Sequence, residues 1–316
     1  MPSAIVLDRL VKRYGSLVAL NGVSLEVAEG QMFGLIGPDG AGKTTMIRTV
    51  CGLLHADEGS VRVFGSDPVR EHDKITAAVG YLSQRFSLYG DLSIDENIAF
   101  FAEIHGLRAY KPRRERLLEL TQLTRFRDRL ADRLSGGMKQ KLALACTLVH
   151  EPRLIVLDEP TTGVDPVSRR EFWKLLSEFL DQGITILVST PYLDEAERCA
   201  RVALLHEGRL LALDTPDHLR ASLPGTIVEL IASDQPRALA EARGMHDVVD
   251  VQCFGERIHV RFAAQVQGDA VSVLTTRLMS AGLQLRGVRD VPPSLEDVFI
   301  ARLMEPGPAT TGTPSA

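Results

Sequence analysis

Long apolar runs are the first thing missing from this chain. No stretch reaches the roughly 18 uninterrupted apolar residues that a membrane-spanning helix needs, and the start, Met1-Pro-Ser-Ala-Ile-Val-Leu-Asp8, has neither a basic cluster nor an apolar run of leader length. The chain is therefore expected to be soluble, although it can still sit beside a membrane. Cysteine is scarce too. Cys51, Cys146, Cys199 and Cys253 are scattered without a Cys-x-x-Cys pair or a histidine at metal spacing, which argues against disulfides and structural zinc and suits a reducing cytosol. A positive excess is also lacking. With 36 Lys and Arg against 41 Asp and Glu the net charge is −5, the wrong sign for a protein whose main partner is nucleic acid, so none is expected. What is present is an ordinary globular composition, 316 residues with 45% hydrophobic and 24% charged, long enough for two domains.

The most informative stretch is Gly37-Pro38-Asp39-Gly40-Ala41-Gly42-Lys43-Thr44-Thr45, which fits the phosphate-binding pattern G-x-x-x-x-G-K-[ST] with nothing missing. Residues 31–36 read as a buried strand entering it and residues 46–51 as a helix leaving it, the setting this motif requires. Backbone N–H groups at the helix start would cradle phosphates, with Lys43 on the terminal ones and the Thr44 hydroxyl on magnesium. The alternative, a glycine-rich turn with a chance lysine, does not account for that strand and helix.

Ahead of this loop, residues 4–35 alternate apolar and polar positions and predict short antiparallel strands around Tyr14-Gly15. Tyr14 has two readings, facing a nucleotide or sitting in the core of that small β layer. Further strands are expected at 61–64 and 78–82, the second ending in Ser83-Gln84. From Asp95 to about Leu134 the spacing becomes helical, with Pro112 interrupting between helices, as in an inserted helical subdomain. The arginines of 107–133 could face anionic lipid, but Glu115, Glu119, Asp128 and Asp132 are interspersed and favour a solvated helix face.

Ser135, Gly136 and Gly137 precede an amphipathic helix at 139–149, a second helix start suited to an anion but without its own lysine; taken alone it reads as a cap. The run Leu154-Ile-Val-Leu157 suggests a buried parallel strand with Asp158 and Glu159 at its C-terminal end, where α/β sheets place ligands. Two adjacent buried carboxylates are costly without partners. A magnesium ion on Asp158 and a water polarised by Glu159 would supply both partner and use; a plain strand-end charge pair is the alternative. A turn through Asp165-Pro166, a helix at 167–180 and a strand at 184–188 follow, then Ser189-Thr190-Pro191.

In this order the motifs resemble the nucleotide-binding domain of an ABC transporter over residues 4 to about 220. The resemblance implies an α/β P-loop NTPase fold with an ABC-type β subdomain and a helical signature subdomain near 86–150, the whole domain covering 1–222. It implies ATP and Mg2+ as ligands: Tyr14 stacks on adenine, residues 37–45 hold the phosphates, and Thr44, Gln84 and Asp158 serve the metal. Gln84 also reaches the attacking water, and Glu159 is the catalytic base. Two copies pair head to tail, so that Ser135, Gly136 and Gly137 of one close on the ATP held by the other, with Asp165 in the loop at that junction. Phe86-Ser-Leu-Tyr89 beside Gln84 is then either a patch for a coupling helix of a separate membrane permease or ordinary core.

Residues 223–304 read as strand–helix–strand–strand–helix–strand, a small ferredoxin-like α+β domain, closed by a Ser294-x-x-Asp297 capping box. Residues 305–316 are expected to be disordered. Pro293-Ser-Leu-Glu-Asp-Val-Phe299 resembles the tail of ATPase subunits in the drug-resistance and antibiotic-export branch, which implies export of a hydrophobic drug or lipid-like molecule from the cytoplasmic face of the cell membrane. This domain shows no catalytic constellation, which leaves interaction or regulation as its task. Two other readings stand beside the exporter: a soluble ABC-type ATPase acting on ribosomes or DNA, and a degenerate regulatory nucleotide binder. The first lacks its usual second ATPase domain or coiled-coil insertion. The second draws on a departure from the family pattern, Pro191 where a switch histidine is usual. Proline has no side-chain donor, so it cannot touch a γ-phosphate as histidine does. Met138, where glutamine is common, affects a secondary contact. Pro191→His is expected to raise ATP turnover; a lower or equal steady-state rate with ATP binding intact would overturn that expectation.

Overall fold

A computed structural model describes residues 2–84, 87–265 and 268–304. The alternating residues near the start form a hairpin of β1 (Ser3–Tyr14) and β2 (Leu17–Ala28). Then come β3 (Met32–Ile36), α1 (Lys43–Val50) and β4 (Glu58–Val63), which returns to β1 and completes an antiparallel layer ordered β2-β1-β4. Helix α2 (His72–Ala78) leads into β5 (Val79–Leu82). The helical part holds α3 (Ile94–Ile104), α4 (Lys111–Leu120) and α5 (Gly136–Leu148). Next are β6 (Leu154–Asp158), α6 (Pro166–Asp181), β7 (Thr185–Thr190), the short α7 (Leu193–Ala196), and a hairpin of β8 (Arg201–His206) and β9 (Arg209–Asp214).

The main sheet runs β5-β6-β7-β3-β8-β9, parallel throughout except for β9. Strands β3, β6 and β7 are buried at every position, as apolar runs covered on both faces require. Their C-terminal ends lie together, with Ile36 opposite Thr190 and Asp158 opposite Ser189. One core fills the space between this sheet and the antiparallel layer: Ile5, Leu7, Val27, Phe33, Leu35, Met46 and Ile47 belong to the same buried cluster.

Pro112 does not separate two helices as the sequence suggested; it lies in the first turn of α4, where a missing N–H breaks no helical bond. Some arginines of the helical part pair with its acids. Arg127 reaches Asp95 at 2.8 Å and Glu115 at 2.9 Å, and Arg114 reaches Asp95 at 3.1 Å. Helix α2 and the β8–β9 hairpin are additions to the sequence reading, and Phe86 lies outside the described residues.

The chain divides between Thr215 and Pro216, ahead of the boundary expected after residue 222. The reason is α8 (Pro216–Ala221), which packs with the terminal helix α11 (Leu295–Met304) and so belongs to the second unit. Between them lie β10 (Thr226–Ala232), α9 (Gln235–Arg243), β11 (Val248–Phe254), β12 (Arg257–Phe262), α10 (Ala270–Ser280) and β13 (Leu285–Val291). The all-antiparallel order β11-β12-β10-β13 is the ferredoxin-like arrangement. Val228, Leu230, Val260 and Phe262 pack in one core with Ala238, Leu274 and Leu278 of the helices. Residues 305–316, expected to be disordered, lie outside the described residues.

The opposite face of this small sheet carries charge. Glu229 stands opposite His259 and Arg289 in the strand register. Arg289 donates to it at 2.7 Å and Arg257 at 3.0 Å, while His259 lies 2.9 Å from Asp297 through Nδ1 and 3.5 Å from Glu229 through Nε2. Asp297 also accepts from the Ser294 N–H at 2.8 Å, and its own N–H donates to the Ser294 hydroxyl, the capping box read from the sequence. Burial works against charge on His259, but the Asp297 and Glu229 carboxylates outweigh it and raise its pKa. Burial likewise opposes ionisation of Asp297 and Glu229, and their partners outweigh it, holding both below the ordinary carboxylate range. The histidine's contribution is complete below its ordinary value of 6.5 and is lost as pH rises through the raised one. The carboxylates' contribution is lost as pH falls through their lowered values, so the cluster is most stabilising from about pH 5 to 6.5. In pH-resolved thermal melts of the full chain, His259→Gln should destabilise this unit by about 1–3 kcal/mol near pH 6 and flatten the loss of stability toward pH 8.5; an unchanged pH profile would refute this.

Candidate active site

The phosphate loop owes its shape to glycines that nothing larger can replace. A Cβ on Gly37 would lie 2.2 Å from the Leu205 carbonyl oxygen, and Gly42 holds φ +101 at the N-cap of α1. No side chain caps α1 and its first turn has no acid, so its N–H groups are free for an anion. The Lys43 ammonium is buried. It donates to the carbonyls of Gly37 at 2.7 Å and Pro38 at 3.0 Å and lies 3.0 Å from Glu159 Oε1, which folds the loop around it. Ala41 is buried, whereas Asp39 and Gly40 are exposed at the loop's tip. Thr45 lies in the first turn of α1 and accepts from the Thr49 hydroxyl through its carbonyl.

At the end of β6 the two buried carboxylates are each provided for. Asp158 Oδ1 accepts from the Thr44 hydroxyl at 3.1 Å and from the Ser189 hydroxyl at 2.8 Å. The Glu159 N–H donates to the Ser189 hydroxyl at 2.9 Å, and Glu159 Oε2 accepts from Gln84 Nε2 at 3.0 Å. Glu159 itself has φ +49, a region that side-chain-bearing residues rarely occupy, and a proline follows it. Strain of this kind persists only where neighbours enforce it.

Thr44 and Asp158 are bonded to each other and Gln84 is bonded to Glu159, and together they hold oxygens of the kind that suits a hard divalent cation such as Mg2+, which needs few protein ligands beside phosphate oxygens. The uncapped helix start and buried ammonium suit a polyphosphate. Bound there, the cation would neutralise phosphate charge.

A second group lies at the start of α5. Ser135 caps this helix by accepting from the Met138 N–H at 3.3 Å. Gly137 backs onto α6, where a Cβ would come within 2.3 Å of the Ser168 hydroxyl. Asp165 caps α6, accepting from the N–H groups of Val167 and Ser168 at 3.1 and 3.0 Å. The Ser168 hydroxyl and N–H hold its carboxyl below the usual range. The starts of α5 and α6 therefore stand side by side, each capped by the side chain that precedes it. Among the described residues no hydrogen bond or ion pair joins Ser135, Gly136, Gly137 or Asp165 to the Lys43–Glu159 group. Tyr14 stands apart as well. Its ring is exposed at the end of β1, with the Lys12 ammonium 5.7 Å from its centroid, so it is not a core residue of the β layer.

Sequence reasoning missed Ser189. Its position at the end of a central strand was the available signal, but that it faces Asp158 depends on β6 and β7 being neighbours.

A largely parallel sheet with a phosphate loop at its strand ends, a pair of buried carboxylates beside it and an inserted helical part defines a P-loop nucleotide-binding cassette. The family described as ABC transporter matches residues 20–162. The probable multidrug ABC transporter ATP-binding protein YbhF of Escherichia coli (strain K12) is 38% identical over 304 residues, 94% of this chain and 52% of that protein. The daunorubicin resistance ATP-binding protein DrrA3 of Streptomyces coeruleorubidus is 34% identical over 301 residues, 94% of this chain and 95% of that one. A solved dimeric post-hydrolysis state of the ATP-binding cassette MJ0796, bound to ADP and Pi, aligns with TM-score 0.60 and 26% identity over 67% of this chain and 98% of that one. The chain belongs to the ATP-binding proteins of ABC transporters, spanning about half of YbhF and nearly all of DrrA3.

Ser189→Ala removes a hydroxyl that serves Asp158 and the Glu159 N–H together. Chemical denaturation should show a loss of about 1–3 kcal/mol, and the ATPase rate should fall at saturating ATP. Wild-type stability and rate would show that the hydroxyl is dispensable.

Proposed function

We propose that this protein binds and hydrolyses ATP as the energy-supplying subunit of an ABC exporter, working as a homodimer on the cytoplasmic face of the membrane beneath a separately encoded permease. The observation that carries the proposal is the single bonded group joining phosphate loop to carboxylates, through Thr44–Asp158 at 3.1 Å and Lys43–Glu159 at 3.0 Å. Lys43 and the first N–H groups of α1 bind the terminal phosphates, and Tyr14 stacks on the adenine. Thr44, Asp158 and Gln84 would hold a magnesium ion, which would neutralise phosphate charge. Glu159 takes a proton from water as the water oxygen attacks the γ-phosphorus and the bond to the β-phosphate oxygen breaks, giving ADP and phosphate.

The second anion site explains the dimer. Ser135, Gly136 and Gly137 carry no cation of their own, and closing on the γ-phosphate held by another copy gives that helix start its ligand. ATP then bridges two copies, and hydrolysis removes the bridge. The first unit, up to Thr215, is assigned to this ATPase domain and the second, from Pro216, to an accessory domain for interaction or regulation. Export is supported by Pro293-Ser-Leu-Glu-Asp-Val-Phe299 and by the resistance named for DrrA3, and it implies a hydrophobic drug or lipid-like cargo. Pro191 favours a second reading, a regulatory nucleotide binder with little hydrolysis of its own.

Glu159→Gln separates the two. On the exporter reading, steady-state ATPase falls by at least about 10²-fold. ATP affinity is kept or increased, because Lys43 loses its ion pair, and size-exclusion chromatography with ATP shows a trapped dimer. A rate that Glu159→Gln hardly changes, with ATP-dependent dimerisation intact, would instead establish the regulatory reading.

A further inference from the structure

Glu195 is a carboxylate with no part in the chemistry above. It lies in α7, four residues after Pro191, and is 1% exposed. A buried carboxylate is costly unless donors surround it, and here they come from three different elements. Oε1 accepts from the Thr161 hydroxyl at 2.7 Å, just beyond β6, and from the Trp173 indole N–H of α6 at 3.1 Å. Oε2 accepts from the Thr190 hydroxyl of β7 at 2.6 Å. Arg169 Nε stands at 3.6 Å, close enough to balance the charge but too far for a hydrogen bond.

These bonds enclose the two segments nearest the catalytic carboxylate. Thr190 accepts the Tyr192 N–H at 3.0 Å, and Arg169 stacks over the Tyr192 ring at 4.7 Å, so Pro191 is bracketed by anchored neighbours. On the other side the turn after Glu159 is gripped by Gln140 of α5, whose side-chain amide donates to the Pro160 carbonyl. Glu159, at φ +49 and ahead of a proline, needs such external grip to stay where it is.

We propose that Glu195 is a positioning residue for ATP hydrolysis: through Thr161 and Thr190 it clamps the turn after Glu159 to the loop bearing Pro191, and so keeps the Glu159 carboxylate beside Lys43 and Gln84. The inference rests on Glu159 being the base. Pro191 offers no polar side chain to the nucleotide, and the loop that carries it contributes through this anchorage.

The test uses the full chain and compares Glu195→Gln, Thr161→Val and Thr161→Ser. A carboxylate accepts at both oxygens and an amide at only one, so Glu195→Gln orphans a donor at nearly constant volume. Thr161→Val removes the hydroxyl and Thr161→Ser keeps it. Glu195→Gln and Thr161→Val should each lower kcat about ten-fold or more, with KM for ATP within about two-fold of wild type. Thr161→Ser should keep the wild-type kcat, and the double variant should be little worse than either single, because both break one clamp. Emission of Trp173, the only tryptophan, checks that each variant is folded. A folded Glu195→Gln with unchanged kcat, a Thr161→Ser as slow as Thr161→Val, or multiplying losses in the double variant would each overturn the proposal. If Glu195→Gln does not fold, the two Thr161 variants decide. Glu159→Gln measured alongside tests the base separately: an unchanged rate there fails that assignment, whatever the clamp variants do.

Discussion

Burying two adjacent carboxylates at the end of one strand is the constraint on which the rest of this structure depends. Asp158 and Glu159 cannot remain there ionised without donors, and those donors fix their neighbours. Asp158 requires hydroxyls from α1 and β7, so the phosphate loop and β7 must both reach the end of β6, whatever their distance in sequence. Glu159 requires a cation, and Lys43 supplies it from the loop. The strand order that places β7 beside β6, with β3 next in line, answers this electrostatic demand as well as hydrophobic burial.

The same demand shapes the backbone. Holding Glu159 against Lys43 and Gln84 goes together with a positive φ before a proline, which the local chain would not choose. The compensation is long-range: Ser189 holds the Glu159 N–H, and Gln140 holds the Pro160 carbonyl. Local misfit at this one residue is thereby spread over β7 and α5.

What could be read from the sequence follows from how far apart the partners lie. Residues 37–45 carry their chemistry in consecutive positions, and the buried strands and their terminal acids announce themselves by apolar runs. The second unit was legible because period-two strands and capped helices alternate in a short span, and Ser294 and Asp297 sit at capping distance. Helix α2 was missed because Ile75 is its only buried residue and leaves no periodic stripe. Ser189 and Gln140 were missed for a different reason. Their bonds cross 31 and 20 residues of chain, and nothing in either segment states which strand or turn will lie beside it. The domain boundary moved for a similar reason: α8 follows directly on the first unit in sequence but finds its packing partner in α11, more than seventy residues later.

The contact between Gly137 and Ser168 turns two separate helix starts into one rigid tip. Because a methyl group does not fit between α5 and α6 there, neither N-terminus can slide past the other. Gln140, one turn further along α5, fastens that tip to the Pro160 carbonyl. The separation between the signature glycines and the catalytic turn is therefore a gauge of fixed length, set within a single chain. Any body that docks on the signature end meets a surface whose distance from the carboxylate is already determined.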